Sequence, residues 1–427
     1  MAVTPPSLRL KLLVIGVLYF AEGLPYGFVV TALSFYLRGQ GVPLEQIGLV
    51  SLLGLAWSFK FLWSPLVDRY GIRAAWLVPA QGVMVLCFLG LAHLSPGPVS
   101  PLFFVLVGLL CLASATQDLA ADAYAVDILE AAELGLANGV RNGAYRVGSL
   151  AAGSGLLILS DRVGWQPAFV GAGVMMGVLA LTVLVAPPFR LPRAGRGATR
   201  PGGFGLVREA VRGLRGLPSF GAIILFTLTF KAGDALMATM VSPFWRDQGF
   251  SGTEFGVVSG LLGSLATIVG GLLGGALTSR WGIGTALWSM GLLQAVSNLG
   301  YFAAALPGMG RRVLLSLPLP FGGEVPIYPI YLASQGESLT GGMGSAAFMA
   351  FLMCLCDKRF SAMHYAFFAM LFSFGARIFG YLGGLLAAAL GYPTFFLVSF
   401  LAAMPAFMLL PWILPVVRER EGRGPHE

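Results

Sequence analysis

The stretch SFYLRGQGVPLEQIGLVS, from Ser34 to Ser51, recurs later in the chain as SPFWRDQGFSGTEFGVVS, from Ser242 to Ser259. At a constant offset of 208 residues, serine, arginine, glutamine and glycine stand at the same places in the two copies. Self-similarity at a fixed offset is typical of an internally duplicated chain. This pair of stretches is therefore the first indication that the chain has two related halves.

Two further matches follow in the same order. LVDRYGIRAA (66–75) corresponds to LTSRWGIGTA (277–286), and in each half the stretch comes after the second predicted span. Arg146, in YRVG, then stands opposite Arg377, in ARIFG. Chance similarity among apolar segments is the alternative, but three matches in corresponding order favour duplication.

The composition is that of a membrane protein. Of the 427 residues, 57% are hydrophobic and only 11% are charged, and the mean hydropathy is +0.81. A run of about 20 apolar residues spans a hydrocarbon core of roughly 30 Å. The uninterrupted apolar stretches favour helices, because barrel strands would alternate polar and apolar residues. We predict twelve helical spans, near 10–37, 46–66, 75–94, 101–125, 137–160, 166–187, 218–242, 253–278, 284–306, 327–356, 364–390 and 392–415.

The predicted fold class is therefore all-α, with twelve transmembrane helices in two pseudo-symmetric six-helix bundles. We assign residues 1–187 to the N-terminal bundle and residues 218–415 to the C-terminal bundle. The stretch 188–217, rich in glycine, proline and arginine, is predicted to be a cytoplasmic linker, and residues 416–427 a cytoplasmic tail. Residues 307–332 are predicted to be either an outer loop or the irregular start of the tenth helix.

The basic residues predict the orientation in the membrane. With both termini in the cytoplasm, 17 of the 27 lysines and arginines fall in cytoplasmic segments and five in outer loops, as the positive-inside rule requires. Topology therefore explains the net charge of +8, which gives no support for nucleic-acid binding. Arginine outnumbers lysine 23 to 4, which suggests a GC-rich bacterial coding sequence and hence a bacterial inner membrane.

Charged residues inside the predicted spans mark the interior of the protein. An ionisable group is costly in lipid, so it faces a bundle interior or a water-filled cavity. The third, sixth, ninth and twelfth spans contain none. Those that occur elsewhere include Glu22, Lys60, Asp118, Asp122, Arg141, Arg146, Lys231, Asp234, Glu337 and Arg377.

Three acids of the first half are predicted to carry protons. Asp118 and Asp122 are four residues apart, so they lie on one face of the fourth span. Two neighbouring carboxylates repel each other in a low dielectric, which favours a proton on one of them. The alternative is a structural cluster, in which Arg141 and Arg146 pair with both acids and form an inner gate. Glu22, near the midplane of the first span, either carries a proton or contacts the solute, or bonds to a neighbouring helix.

Four residues of the second half are predicted to contact the solute. Arg377 has no acid within a turn of its own helix, and a guanidinium binds carboxylates and phosphates through two parallel hydrogen bonds. An ion pair with another helix is the alternative. Lys231 and Asp234 are three residues apart, so they either neutralise each other or leave Lys231 free for an anionic group. Glu337, in the tenth span, is the fourth candidate.

Four longer stretches carry a family resemblance. They are FKFLWSPLVDRY (59–70), ATQD (115–118) followed by Asp122 and Asp127, GGMG (341–344) and CDKRFSA (356–362). Together they resemble the peptide/acetyl-CoA transporter branch of the major facilitators, which contains the AmpG-type muropeptide permeases. The AmpG-type pattern D-A-W-K-T-D reads DAYAVD here, and the alanine at its lysine position is closer to the acetyl-CoA transporters.

The resemblance implies the major facilitator fold and alternating access of its two halves. In that fold the first, fourth, seventh and tenth helices surround the cavity, and charges after the second helix tie helix ends together. The gating candidates are Asp68, Arg69, Arg73, Asp127, Arg141 and Arg146. The glycine run at 341–344 is either a flexible break beside the cavity or a place of close helix packing.

We therefore predict a secondary active transporter that imports an anionic solute, such as an anhydro-muropeptide, together with protons. A siderophore or acetyl-CoA transporter of the same branch is the alternative. A sensor without transport and an intramembrane acyltransferase are less favoured. Catalytic residues, metal ligands and cofactors are not expected, and no P-loop sequence for ATP occurs. The expected partners are the solute, protons and the bilayer, without nucleic acid, and the chain is expected to be a monomer.

Overall fold

The computed structural model describes residues 7–69, 74–129, 133–185, 218–318, 324–356 and 361–421. Nearly all of these residues are helical, and one pair of short strands is the exception. Within this described part, seven helical segments are long and apolar enough to cross a membrane. The predicted linker (188–217) and the end of the predicted tail lie outside it.

The helices before the predicted linker overlap the predicted spans, with interruptions. They are α1 (Leu8–Gly39, with a π-helical turn at Phe28–Ala32), α2 (Leu44–Phe59), α3 (Ser64–Arg69), α4 (Ala74–Leu94), α5 (Pro101–Ile128), α6 (Leu134–Ala152), α7 (Ser154–Val163) and α8 (Trp165–Val185). The second predicted span is interrupted at Gly54 and by a 3-10 turn at Lys60–Leu62. The fifth is divided at Gly153, whose φ and ψ are −81° and −83°.

The helices after the linker follow the same pattern. They are α9 (Phe220–Asp247), α10 (Gly252–Trp281, with a π-helical turn at Gly256–Leu262), α11 (Ile283–Ala305), α12 (Pro329–Cys354) and α13 (Ser361–Glu421). Strands β1 (Leu315–Pro318) and β2 (Glu324–Ile327) form an antiparallel pair before α12, so the segment 307–332 contains a hairpin and α12 begins regularly. The last two predicted spans both lie in α13, which is divided at Gly391 (φ +70°).

The described residues form two compact units. The first contains described residues of the ranges 1–42, 53–199 and 250–260, and the second those of 43–52, 200–249 and 261–427. The units therefore follow the two sequence halves except at two short segments. These two segments, Pro43–Leu52 and Phe250–Gly260, overlap the second halves of the two similar stretches, 34–51 and 242–259.

Each of these two segments makes close contacts inside its own unit. In the second unit, a Cβ added to Gly48 would lie 2.9 Å from the Cα of Gly384, so α2 and α13 touch through their backbones. In the first unit, Asp161 of α7 accepts hydrogen bonds from the amides of Gly252 (3.2 Å) and Thr253 (2.5 Å) at the start of α10. The first amides of a helix have no acceptor within the helix, so this carboxylate satisfies them.

Each unit has an apolar core, and many large apolar side chains also point outward. Leu18 belongs to a core of the first unit, and Phe226 and Phe348 to the core of the second. Outside the cores, Leu86 is 69% exposed and Leu272 is 72% exposed. Such exposure is unfavourable in water but not against lipid tails, which agrees with helices that cross a bilayer.

The glycine run at 341–344 packs closely and does not break its helix. Helix α12 is continuous through the run. A Cβ on Gly342 would collide with the backbone of α10 at Thr267, and a Cβ on Gly274 of α10 would collide with α12. The close-packing alternative is therefore confirmed, and the flexible break was wrong.

Candidate functional site

Five charged side chains of the first unit lie together and are called the first-unit cluster. They are Glu22 (α1), Lys60 (between α2 and α3), Asp118 and Asp122 (α5) and Arg141 (α6). Small residues allow α1 and α6 to approach, because a Cβ on Gly23 or on Gly148 would collide with the backbone of the other helix. This close approach places the α1 carboxylate and the α6 guanidinium on the same cluster.

Asp122 is the acid with the most partners. Its Oδ1 accepts a hydrogen bond from the hydroxyl of Tyr19 at 2.6 Å and lies 2.8 Å from a guanidinium nitrogen of Arg141. Its Oδ2 lies 3.5 Å from the ammonium of Lys60. The Arg141 guanidinium also lies over the Tyr19 ring, 4.4 Å from its centre. Asp122 therefore contacts Tyr19 and both cations through its two oxygens.

Asp118 and Glu22 are more deeply buried and have fewer partners. Asp118 is 4% exposed, and the Lys60 ammonium lies 3.8 Å from its Oδ2. Its Oδ1 has no hydrogen-bond partner among the described residues. Glu22 is 8% exposed, and within the same described part its Oε2 also lacks a partner. A buried oxygen without a partner is costly, so a bound proton or ligand would stabilise both acids.

Arg141 joins this cluster and Arg146 does not. Arg146 forms no ion pair with Asp118 or Asp122, so the prediction that both arginines pair with these acids is wrong for Arg146. The reason is helical geometry: residues five apart point about 140° away from each other around the axis. The other gating candidates lie outside the described side chains; they are Asp68, Arg69, Arg73 and Asp127.

A small cavity adjoins the cluster. Its volume is about 140 Å³, which is enough for several water molecules. Tyr19, Asp122, Asn138 and Arg141 line its polar part. Ala125, at the lysine position of the AmpG-type pattern, also lines this cavity, so the space beside Asp122 is left open by the short side chain.

In the second unit, Lys231 links two helices. The regular helix of α9 is interrupted at this residue, whose φ and ψ are −101° and 17°. Its ammonium lies 3.2 Å from Oδ2 of Asp234 and donates to the carbonyl oxygen of Gly341 in α12 at 3.3 Å. The predicted pairing of Lys231 with Asp234 is therefore confirmed, and the ammonium is shared between α9 and α12.

Glu337 and Gln294 meet beside Gly341. A Cβ added to Gly341 would lie 3.6 Å from Oε1 of Glu337 and 3.9 Å from Nε2 of Gln294. Gln294, in α11, is only 3% exposed, and its Nε2 has no hydrogen-bond partner in the described part of the chain. The side chains of these two residues therefore border the same small space over α12.

Arg377 makes no ion pair and no hydrogen bond with any residue that the structure describes. Its helix packs along α9, because a Cβ on Gly375 would press on Leu228 and a Cβ on Gly383 would collide with Leu236. Arg377 thus lies at the height of the interruption in α9. The alternative of an interhelix ion pair finds no partner in the described residues.

Sequence reasoning missed two of these residues. Tyr19 stands three residues before Glu22, one turn away on the same helix, and this spacing was a usable signal. Gln294 lies on a span without ionisable groups and was passed over for that reason. Its only signal was a second amide, Asn298, four residues later on the same face.

The described residues contain no metal centre. No group of three histidine, cysteine, aspartate or glutamate side chains in this part of the chain is arranged to hold a metal ion. All four cysteines are free thiols, including the C-x-C pair of Cys354 and Cys356.

Known transporters resemble this chain in sequence. The family profile of the Major Facilitator Superfamily matches residues 15–335. The anhydromuropeptide permease of Escherichia coli strain K12 is 35% identical over 410 residues, which are 93% of this chain and 78% of the permease. The putative transporter AmpG 4 of Rickettsia felis is 25% identical and covers 94% of this chain and 96% of its own length.

Solved structures of transporters resemble it in fold. The nucleoside transporter NupG superposes with a TM-score of 0.71 over 95% of this chain and 98% of its own, at 16% identity. A POT family transporter in complex with a thioalcohol-conjugated peptide gives 0.68 over 95% and 96%, at 12% identity. At these identities the likeness concerns the fold alone, which is an all-helical membrane-transporter fold.

Proposed function

The chain belongs to the major facilitator superfamily, in its AmpG-like branch, and from this premise we propose that it imports anhydromuropeptides together with protons. It is a multi-pass membrane transporter and not an enzyme, because its relatives are permeases and transporters. One observation carries the proposed substrate: the 35% identity to the Escherichia coli anhydromuropeptide permease extends over 93% of the chain.

The proposed topology has twelve spans in two six-helix bundles, 1–187 and 218–415, in a bacterial inner membrane. Every predicted span overlaps a helix, and α13 supplies two of them because it is divided at Gly391. The excess of lysine and arginine in alternate loops supports cytoplasmic termini.

The charge balance of the first-unit cluster supports proton coupling. Three carboxylates (Glu22, Asp118 and Asp122) face two cations (Lys60 and Arg141), which leaves one negative charge in excess. A net charge is costly inside a membrane protein, and one bound proton neutralises the cluster. The proposed proton carriers are Asp118 and Glu22, each of which has a buried oxygen without a partner among the described residues. Asp122 contacts both cations and positions them.

Proton entry supplies the driving force in this proposal. Inward movement of one charge releases about 2.3 kcal/mol per 100 mV of membrane potential, before any pH difference is added. Neutralising the cluster also removes its repulsion toward an anionic solute. The proton and the solute therefore favour each other's binding, which is the requirement for symport by alternating access.

Arg377 is the proposed anion contact. Lys231 is neutralised by Asp234, so its ammonium is less available to the solute than the guanidinium of Arg377. Carboxylate groups of a muropeptide would bind the guanidinium through two parallel hydrogen bonds. Asp234 then serves to hold Lys231, and Glu337 borders the solute.

The gating assignments remain part of the proposal. Arg141 ties α6 to α5 through Asp122. Asp68, Arg69, Arg73 and Asp127 are proposed to act at the cytoplasmic helix ends, on the strength of the family resemblance. Arg146 does not pair with Asp118 or Asp122, so we propose no gating role for it through these acids.

The test is uptake into right-side-out and inverted vesicles that contain the protein. Labelled anhydromuropeptide, acetyl-CoA and a ferric siderophore are compared, each with and without an imposed proton gradient. We expect uptake of the anhydromuropeptide alone, stimulated by a gradient directed inward. Uptake of acetyl-CoA or of the siderophore instead would reject the proposed substrate, and uptake that ignores the gradient would reject the coupling.

A further inference from the structure

Gln294 carries a buried polar group that the fold leaves without a partner. Its side chain is 3% exposed, yet Nε2 makes no hydrogen bond with any described residue. A buried amide donor without an acceptor costs roughly as much as a lost hydrogen bond. A ligand that offers an acceptor to such a donor gains a hydrogen bond at no cost to the fold, so the surroundings of the group indicate which ligand fits.

The surroundings of Gln294 are shaped by two glycines of α12. A Cβ on Gly344 would collide with the side-chain oxygen of Gln294, so the amide in its present position packs directly against this glycine. At Gly341 there is room for one more atom: a Cβ there would sit 3.9 Å from Nε2 of Gln294 and 3.6 Å from Oε1 of Glu337. Both separations are ordinary van der Waals distances.

The two groups that border this space have opposite hydrogen-bonding character. The amide nitrogen of Gln294 is a donor only, and the carboxyl group of Glu337 offers an acceptor oxygen in either protonation state. Gly341 and Glu337 are four residues apart, on one face of α12, and the Gly341 carbonyl oxygen is occupied by the Lys231 ammonium at 3.3 Å. The unoccupied donor and the acceptor therefore lie side by side over one glycine.

We propose that Gln294 and Glu337 together bind a secondary amide of the transported solute. The amide carbonyl oxygen of the solute accepts from Nε2 of Gln294, and its N–H donates to the Glu337 carboxylate. A carboxylate group of the solute would satisfy only the donor, and an ammonium group would satisfy only the acceptor. Gln294 is thus a specificity-determining residue, on a helix without charged groups in its apolar span.

This inference rests on the proposed function, because a muropeptide carries secondary amides in two places. One is the acetamido group of its amino sugars, and the other is the peptide bond. Either provides the carbonyl oxygen and the N–H that the pair requires, and ligand variants separate the two sources.

The test measures equilibrium binding of three labelled ligands to the purified full chain in detergent. They are the anhydromuropeptide, its de-N-acetylated form and the anhydro-disaccharide without peptide. We expect Gln294→Leu to bind the intact anhydromuropeptide about tenfold more weakly, which corresponds to the loss of one buried hydrogen bond. If the acetamido group is recognised, wild type and variant bind the de-N-acetylated ligand equally; if the peptide bond is recognised, they bind the disaccharide equally.

A blocking variant tests the same space without removing either polar group. Gly341→Ala places a methyl group between Gln294 and Glu337, and we expect the same tenfold weakening. The matched control is Gly275→Ala, because a Cβ at Gly275 meets no atom within 4 Å. A second control is Gln81→Leu, which removes another fully buried amide without partners in the described chain, in the first unit. Both controls are expected to bind like wild type.

Several outcomes overturn the inference. If Gln294→Leu binds with unchanged affinity, or loses the same affinity for all three ligands, this residue does not recognise an amide of the solute. A melting temperature of Gln294→Leu well below that of wild type also counts against it, because removal of an unpaired amide should not destabilise the fold. Wild-type protein that binds none of the three ligands instead rejects the proposed function itself.

Discussion

The hydroxyl of Tyr19 donates a 2.6 Å hydrogen bond to Oδ1 of Asp122, the same oxygen that Arg141 contacts at 2.8 Å. The hydrogen bond from Tyr19 joins α1 to α5, and the Arg141 contact joins α6 to the same carboxylate. These two partners separate Asp122 from Asp118 and Glu22, each of which has a buried oxygen without a partner among the described residues. The three carboxylates look equivalent as sequence, and their contacts assign them different roles.

Tyr19→Phe should lower the free energy of unfolding by about 1 kcal/mol, because one hydrogen bond to Asp122 is lost while the ring and its packing remain. The measurement is denaturant or thermal unfolding of the purified protein in detergent. Tyr36→Phe is the matched control, because the buried hydroxyl of Tyr36 has no partner in the described chain. A control variant as unstable as Tyr19→Phe would contradict the assignment.

Asp118→Asn and Glu22→Gln should each uncouple uptake from the proton gradient. Either change removes one of the two proposed proton sites while it keeps the size of the side chain. The measurement is vesicle uptake with and without an uncoupler. Uptake by either variant that still responds fully to the uncoupler would remove that acid from the proposed pathway.

Asp122→Asn should behave differently from those two variants. The amide would leave Lys60 and Arg141 with less compensating charge, so we expect lower thermal stability and lower uptake, with the remaining uptake still responsive to the gradient. The same vesicle and melting measurements apply. Loss of the gradient response in Asp122→Asn, with normal stability, would instead make this residue a proton carrier.

Arg377→Ala should raise the KM for the solute by about tenfold or more, as expected for the loss of a charge-assisted hydrogen bond. Stability should change little, since Arg377 forms no ion pair with any described residue. Arg377→Lys keeps the charge but not the planar fork, so an intermediate KM is expected. Arg312→Ala, at an exposed arginine, is the control. An unchanged KM in Arg377→Ala would rule out the contact.

Gly342→Ala should destabilise the protein by about 1 to 3 kcal/mol, because its methyl group would collide with the backbone of α10 at Thr267. Gly271→Ala, on α10 at the same interface, should be neutral or stabilising by up to about 1 kcal/mol, because a Cβ there meets no atom within 4 Å. Thermal unfolding of the two variants side by side checks the difference. Equal stability would show that α10 and α12 are not in backbone contact.

The family and the chemical inventory of the interior could be predicted from the sequence. Apolar run lengths predict helices because lipid offers the backbone no other partners. Charged residues within those runs predict an interior, and helical spacing offered the pairing of Lys231 with Asp234 as one of two alternatives, the one that the structure shows. All of these are local properties, which depend on residues within a few turns of one another.

The partners of the buried groups could not be predicted in this way. Arg146 seemed as good a partner for the α5 acids as Arg141, and only the rotation of α6 separates them. Gln294 is uncharged, so the search for charged residues within spans did not include it, and its surroundings depend on two glycines of another helix. Each of these contacts joins residues that are far apart in the chain, so the periodicity of a single segment cannot predict it.

By itself, the sequence determined that this chain is a helical membrane transporter, because the lengths of the apolar segments and the family motifs are local features of the chain. Tertiary structure alone decided which oxygen of which acid is left unpaired, and that Gly48 packs against Gly384. The physical reason is that close packing and hydrogen-bond geometry are settled within about an ångström. A sequence pattern specifies which face a residue occupies, whereas those distances depend on the backbones of distant helices.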